Sequence, residues 1–136
     1  MKHIVKIIAA WFVLSTALSC AEKVEHDTDL AAKRAVEFAE ATFVRRNLDQ
    51  GYAMLADNVR GYVPLDKFAG KVSQMHPSGR PNKITAVSAA PVAGEKLVHV
   101  TLRGAGDGGQ FEYAVSMAGT AATDYRVTTF NGGRSS

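Results

Sequence analysis

The sequence is poor in cysteine and in net charge. It has one cysteine in 136 residues, which excludes an intramolecular disulfide and a zinc site built from several cysteines. The formal net charge is only +3, and Lys2 and Lys6 supply two of these charges. Apolar residues make up 46% of the chain and charged residues 21%, the proportions of an ordinary folded protein of one domain.

The first twenty residues have the pattern of a targeting signal. A run of thirteen uncharged residues, residues 7–19, follows the basic residues Lys2, His3 and Lys6. A basic start and a short apolar run are typical of a secretory signal, whereas a membrane-spanning helix needs about 20 apolar residues. We therefore expect a signal peptide at residues 1–19; the alternative is an uncleaved anchor helix.

The end of this run resembles the bacterial lipobox. It has the sequence Ala17-Leu18-Ser19-Cys20, with a small residue before the cysteine and Ala17 where leucine is usual. The resemblance implies cleavage before Cys20 and attachment of a diacylglycerol to its thiol, so that acyl chains anchor the protein in a membrane. Ala21 in place of aspartate implies a bacterial outer membrane, facing the periplasm. The alternative is an ordinary signal peptide with a chance cysteine.

The mature chain is nearly neutral. Removal of Lys2 and Lys6 leaves 14 basic residues against 13 acidic ones, a net charge of +1. Nucleic-acid binding depends on neutralising phosphates with basic side chains, so no nucleic-acid partner is expected.

Residues 20–28 are polar and charged, and are expected to form a tether between lipid and fold. His26, Asp27 and Asp29 have metal-binding side chains, but nothing in a tether fixes their geometry. We therefore expect no metal and no cofactor, with an aspartate or Thr28 capping the helix that follows.

Helical periodicity marks three segments. Apolar side chains recur three and four residues apart in residues 30–46, in residues 48–57 and in residues 65–75. Residues 61–64 are expected to be a turn or short strand. Two prolines in residues 76–81 end the third helix, and a cationic His76 would be mildly favoured at its end.

After residue 82 the apolar residues alternate with period two, which predicts strands. Four such runs occupy residues 84–92, 97–103, 111–117 and 124–130. Short glycine-containing turns separate the runs, and parallel strands need long crossovers, so we expect an antiparallel meander. The fold is predicted to be α+β, with N-terminal helices packed on a curved, cone-like, four-stranded sheet. One domain would span residues 29–130, followed by a flexible tail at residues 131–136.

Eight apolar residues on the expected inner faces should form the core: Phe38, Phe43, Leu55, Phe68, Val98, Val100, Val115 and Val127.

Four segments have the residue types of one group of folds. They are FVRR at residues 43–46, LDQGYAML at 48–55, LDKF at 65–68 and DYRVTTF at 124–130. Together they resemble the nuclear transport factor two-like superfamily, the curled-sheet cone shared with ketosteroid isomerases. The resemblance implies a cone open at one end. A cystatin-like or other helix-on-sheet fold is the alternative.

A pocket between helices and sheet is expected to be lined by five aromatic residues: Tyr52, Tyr62, Phe68, Tyr113 and Tyr125. Their rings supply apolar contact, and tyrosine hydroxyls orient a ligand. The alternative is that these rings fill the cone.

Catalytic patterns are weak. Residues 104–109 match G-x-G-x-x-G, but they open a period-two strand rather than a helix, so a hairpin loop is expected. Isomerase chemistry needs a carboxylate base and an oxyanion-binding tyrosine with a protonated acid. Asp57, Asp66 and Glu112 are of the right type but stand in no motif, and His99 is expected on the solvent side of its strand.

The sequence therefore favours a lipid-anchored, non-enzymatic binding module of the cell envelope. It would hold a small apolar ligand or a protein segment, with the membrane contacted through the lipid. The alternative is a lipoprotein that acts by protein–protein interaction, as an assembly component or as an inhibitor or immunity-type protein.

Overall fold

The computed structural model describes residues 23–135. The predicted signal peptide, the lipidation site Cys20 and the start of the tether lie outside the described residues. The helices are α1 (Thr28–Ala39), α2 (Leu48–Ala53), α3 (Asp57–Tyr62) and α4 (Leu65–Met75). The strands are β1 (Lys83–Pro91), β2 (Leu97–Gly106), β3 (Gly109–Ala118) and β4 (Arg126–Arg134).

Helix α1 begins where Asp27 caps it. The Asp27 Oδ1 atom accepts a hydrogen bond from the Leu30 N–H at 3.0 Å, which satisfies one of the free donors of the first turn. The helix continues as a π-helical turn, Glu40–Val44, and the chain leaves it at Arg46, whose φ is 57°. The long first helix predicted from the sequence is thus confirmed, with a widened last turn.

The second predicted helix is wrong in its extent. The chain leaves α2 after Ala53 because Leu55 forms a bridge with Val127 of β4. The Ala56 N–H donates to the Val127 carbonyl at 2.8 Å, and the Val127 N–H donates to the Met54 carbonyl at 3.0 Å. The segment then becomes helical again as α3, so residues 61–62 are helical where a turn or short strand was expected.

The sheet is an open antiparallel meander in the order β1-β2-β3-β4. Bulges at Val87 in β1 and Thr128 in β4 interrupt the register, and bulges bend strands. The glycine-rich hairpin is confirmed, since Gly106 pairs with Gly109 around the two-residue turn Asp107-Gly108. The predicted α+β fold, with helices before a four-stranded antiparallel meander, is confirmed.

The predicted flexible tail is wrong as far as residue 134. Residues 131–134 belong to β4, where Arg134 pairs with Phe111 of β3. A Cβ on Gly132, whose φ is 136°, would lie 2.1 Å from the Glu112 carbonyl oxygen. Gly132 therefore serves close strand pairing and Gly133 allows close approach of the Met75 carbonyl, although this glycine-rich composition suggested a loose end.

The core lies between the helices and one face of the sheet. All eight residues predicted for it are buried. Its centre is aromatic: the Phe38 ring lies 5.8 Å from that of Phe43 and 5.3 Å from that of Phe130, both edge to face. Offset and edge-to-face ring pairs add to the stabilisation that burial gives. The expected cone is filled at this point.

The described part of the predicted tether packs on the domain, which corrects the expectation of a solvated segment. The Ala121 N–H donates to the Glu25 carbonyl at 2.8 Å, and His26 contacts Tyr125 and the Glu95 carbonyl. Within residues 23–135, no helix combines the length and apolar character needed to cross a bilayer.

Candidate functional site

A cleft of about 250 Å³ opens at the side of the core, between α3, α4 and β4. Its apolar lining residues are Leu55, Val59, Tyr62, Val63, Phe68 and Phe130, and its polar ones are Lys67, Lys71, Thr128, Thr129 and Asn131. The apolar members are mostly buried, so they form its floor. Tyr62 lies at the surface, with 71% of its area exposed.

Local structure explains why the cleft forms here. Helix α4 is amphipathic, with Phe68 buried beside Lys67 and Lys71 at a spacing of four residues. The Tyr52 hydroxyl donates to the Val63 carbonyl at 2.6 Å and so fixes the connection from α3 to α4. Among the described residues, no strand pairs with the outer side of β4 beyond Val127, so the cleft borders an open sheet edge.

The charged side chains that the described residues contribute to the cleft are both basic. The Lys71 Nζ atom lies 4.4 Å from the centroid of the Phe130 ring, and burial lowers the pKa of Lys71 from its usual value. None of the described residues that line the cleft is a carboxylate. The three ion pairs found in residues 23–135 involve Arg34 and Arg60 instead of the cleft lysines. The site thus combines an apolar floor with two cations at its side.

The structure does not bring the five predicted pocket residues together. Tyr62 and Phe68 line the cleft, and Tyr52 lies behind Phe68 with a ring separation of 5.6 Å. Tyr113 lies in the middle of β3, whereas Tyr125 lies at one end of the sheet, just before β4. Both are almost fully buried, and neither lines this cleft.

Tyr113 forms a buried pair with His76. The His76 Nδ1 atom lies 3.0 Å from the Val72 carbonyl and its Nε2 atom 2.7 Å from the Tyr113 hydroxyl. A carbonyl only accepts, so Nδ1 carries the proton and Nε2 accepts from the tyrosine. Burial lowers the pKa of His76, helped by the nearby arginines at positions 46 and 80, and burial raises the pKa of Tyr113. His76 is therefore a neutral core residue, which corrects the expected cation at a helix end.

Tyr125 forms a second pair, with His26. The His26 Nε2 atom lies 2.7 Å from the Glu95 carbonyl, so it donates there, and Nδ1 accepts from the Tyr125 hydroxyl at 3.0 Å. The Tyr125 oxygen in turn accepts from the Asp27 N–H at 2.9 Å. Both nitrogens of His26 are thus occupied. In the part of the chain that the structure describes, no three His, Cys, Asp or Glu residues are grouped to hold a metal.

The candidate acids lie apart from these pairs. Asp57 has 89% of its side chain exposed and pairs with Arg60, while Asp66 and Glu112 are also exposed. The buried polar residues of the described chain are Thr42 and His76. The carboxylate and tyrosine arrangement of an isomerase is therefore not assembled around Tyr113. His99 is exposed, as predicted, with Nδ1 at 3.0 Å from the Ser116 hydroxyl.

Sequence reasoning missed the two cleft lysines and Phe130 as site residues. A lysine on an amphipathic helix usually belongs to the solvated face, and nothing local shows that β4 passes beside α4. The available signal was the spacing of Lys67 and Lys71 around Phe68, which places two cations next to an apolar side chain.

Comparison with protein-family models and with curated protein sequences finds no match to this chain.

Proposed function

We propose that this chain is a lipid-anchored, non-enzymatic binding module of a bacterial cell envelope, and that it holds a small apolar ligand in the cleft between α3, α4 and β4. The observation that carries this proposal is the lining, in which six of the eleven residues are apolar or aromatic. Concave sites with an apolar floor and a few polar groups are typical of ligand binding.

Membership of the nuclear transport factor two-like superfamily is part of the same proposal. Helices before an open, bulged meander support it. In this chain the space under the sheet is filled by phenylalanines, so the proposed ligand enters at the side of the fold, next to β4.

Lipid attachment at Cys20, and with it a place on the outer membrane, rests on the lipobox-like sequence. The fold also limits how far the domain can lie from the membrane. Glu25 is already hydrogen-bonded to the domain through Ala121. Cys20 lies five positions before Glu25, so the lipid would hold the domain within about 18 Å of the bilayer surface. Mass spectrometry of the mature protein tests this: an acylated Cys20 as first residue is expected, and an unmodified N-terminus elsewhere contradicts it.

Filling the cleft tests the binding function. Thr129→Trp places a large ring on the exposed β4 side of the cleft, and Thr85→Trp is a matched change on an exposed threonine of β1. Binding of a slender, neutral, environment-sensitive dye such as diphenylhexatriene should be lost in the first variant and kept in the second. Equal dye binding by both variants would show that the cleft is not the site.

A protein–protein interaction function is the second candidate, and one observation favours it. Tyr62 and Leu65, both large and apolar, are 71% and 40% exposed at neighbouring positions of α3 and α4. Leu65 does not line the cleft, so Leu65→Asp separates the two functions. Loss of a crosslinked envelope partner in intact cells, with dye binding unchanged, would favour the interaction function.

A further inference from the structure

Charge of one sign gathers at one side of the cleft. Lys67 and Lys71 are one turn apart on α4 and both line the cleft. Like charges at this spacing destabilise a helix, and within residues 23–135 the lining of the cleft contains no carboxylate that offsets them. An anion bound between the two ammonium groups would remove this repulsion.

Lys71 is held where an occupant of the cleft would meet it. Its Nζ atom lies over the face of Phe130 at 4.4 Å, and its side chain is partly buried, which lowers its pKa. An ammonium that has lost part of its hydration interacts more strongly with an anion than a fully exposed one does. The ring that positions the cation is itself a wall of the cleft.

The rest of the cleft suits a hydrocarbon chain. Val59, Phe68 and Phe130 are buried, and the polar residues that β4 contributes to the lining carry no charge. The volume of about 250 Å³ lies below the range of about 300–1,000 Å³ common for drug-sized ligands. The space therefore fits one slender chain better than a rigid polycyclic molecule.

We propose that the ligand of this cleft is a single-chain amphiphile with an anionic head group, a fatty carboxylate or an alkyl phosphate. Its chain lies against Phe68 and Phe130, and its head group lies between Lys67 and Lys71. This inference rests on the proposed binding function and specifies the ligand class. Carboxylate and phosphate share the chemistry that two lysines recognise, and the test separates them.

The test compares ligands that share one chain. Decanoate, decyl phosphate, decanol and decylamine are titrated calorimetrically into the full-length lipidated protein in neutral phosphatidylcholine nanodiscs, with empty nanodiscs subtracted. We expect both anions to bind about tenfold or more tightly than decanol, the effect of one charge-assisted hydrogen bond. Decylamine should bind more weakly than decanol. A preference between the two anions identifies the head group.

Two double variants that lose the same charge show whether the preference for anions arises in the cleft. Lys67→Gln with Lys71→Gln removes the cleft cations, and Lys33→Gln with Lys83→Gln removes two exposed lysines on α1 and β1. The first pair should bring decanoate to within about twofold of decanol, because no charge-assisted bond remains. The second pair should keep the tenfold preference.

The outcomes separate this inference from the function on which it rests. If decanol binds the native protein as tightly as both anions, the anionic head group is wrong and the apolar binding function stands. Equal loss of preference in both variants would assign the effect to overall charge and overturn the inference. If none of the four ligands binds, the proposed binding function fails together with the inference.

Discussion

Two tyrosine–histidine pairs, one in the core and one at the N-terminal segment, use the same hydrogen-bonding pattern in different surroundings. In the core pair (His76 and Tyr113) and in the N-terminal pair (His26 and Tyr125), one ring nitrogen meets the tyrosine hydroxyl and the other a backbone carbonyl, at 3.0 Å or less. The core pair is enclosed, whereas His26 is half-buried. Both hydroxyls, which the sequence assigned to a ligand, therefore hold the fold together.

Truncation of Tyr113 should give the largest effect. Its ring stacks on Phe43 at 4.6 Å and is 1% exposed, so Tyr113→Ala should lower the free energy of unfolding by about 3–5 kcal/mol. Denaturant unfolding measures this loss. Tyr62→Ala, at a residue 71% exposed, should change it by no more than about 0.5 kcal/mol. Equal small effects in both variants would show that Tyr113 is not a core residue.

Removal of only the Tyr113 hydroxyl group should show how much the core pair contributes to the free energy of unfolding. Tyr113→Phe keeps the ring but leaves the His76 Nε2 acceptor buried without its donor. The expected loss is about 1–3 kcal/mol, the cost of an unsatisfied buried group. An unchanged free energy of unfolding would mean that the pair is replaced by another contact. Tyr62→Phe, in which the removed hydroxyl is on an exposed residue, is the matched control.

The core pair should make stability depend on pH. Burial holds the pKa of His76 below its ordinary value of about 6.5, so the unfolded chain binds a proton that the folded chain does not. The contribution is complete above that ordinary value and is lost as pH falls toward the folded pKa. The slope reaches at most about 1.4 kcal/mol per pH unit. Urea unfolding at a series of pH values measures it.

Variants of two histidines assign this slope. His76→Gln should flatten it, whereas His99→Gln should leave it intact because His99 is exposed. A slope that survives His76→Gln would have to come from other groups.

Elements with a strong local period were predictable, and elements shaped by distant contacts were not. Helix α4 has its predicted bounds because its apolar face and the following prolines are local signals. The break between α2 and α3 depends on Leu55 meeting Val127, which lies far along the chain. The end of β4 depends on Gly132 fitting against the Glu112 carbonyl, and a glycine-rich sequence gives no sign of its partner.

In the candidate site, too, local features were predictable from the sequence and distant contacts were not. Two of the residues chosen by aromatic type, Phe68 and Tyr62, line the cleft, but residue type could not show which tyrosine hydroxyls have partners. Those partners, His76 and His26, lie 37 and 99 residues away from their tyrosines. Pairing over such distances has no local pattern, so the predicted pocket combined residues that the fold keeps apart.

Loss of the Tyr125 hydroxyl should have the smallest effect, and a local one. Tyr125→Phe removes the acceptor of the Asp27 N–H and the donor to His26. Because this pair is partly exposed, water can replace the lost partners, and the free energy of unfolding is expected to fall by about 0.5–1.5 kcal/mol.

The stronger readout is detachment of the N-terminal segment, measured as faster tryptic cleavage after the exposed Lys23. Tyr113→Phe should destabilise the whole domain more while increasing cleavage at Lys23 only through global unfolding. Equal rates of cleavage after Lys23 in the folded native protein and in the folded Tyr125→Phe variant would show that the hydroxyl does not attach the segment. The hydrogen bond between Glu25 and Ala121 would then have to attach it.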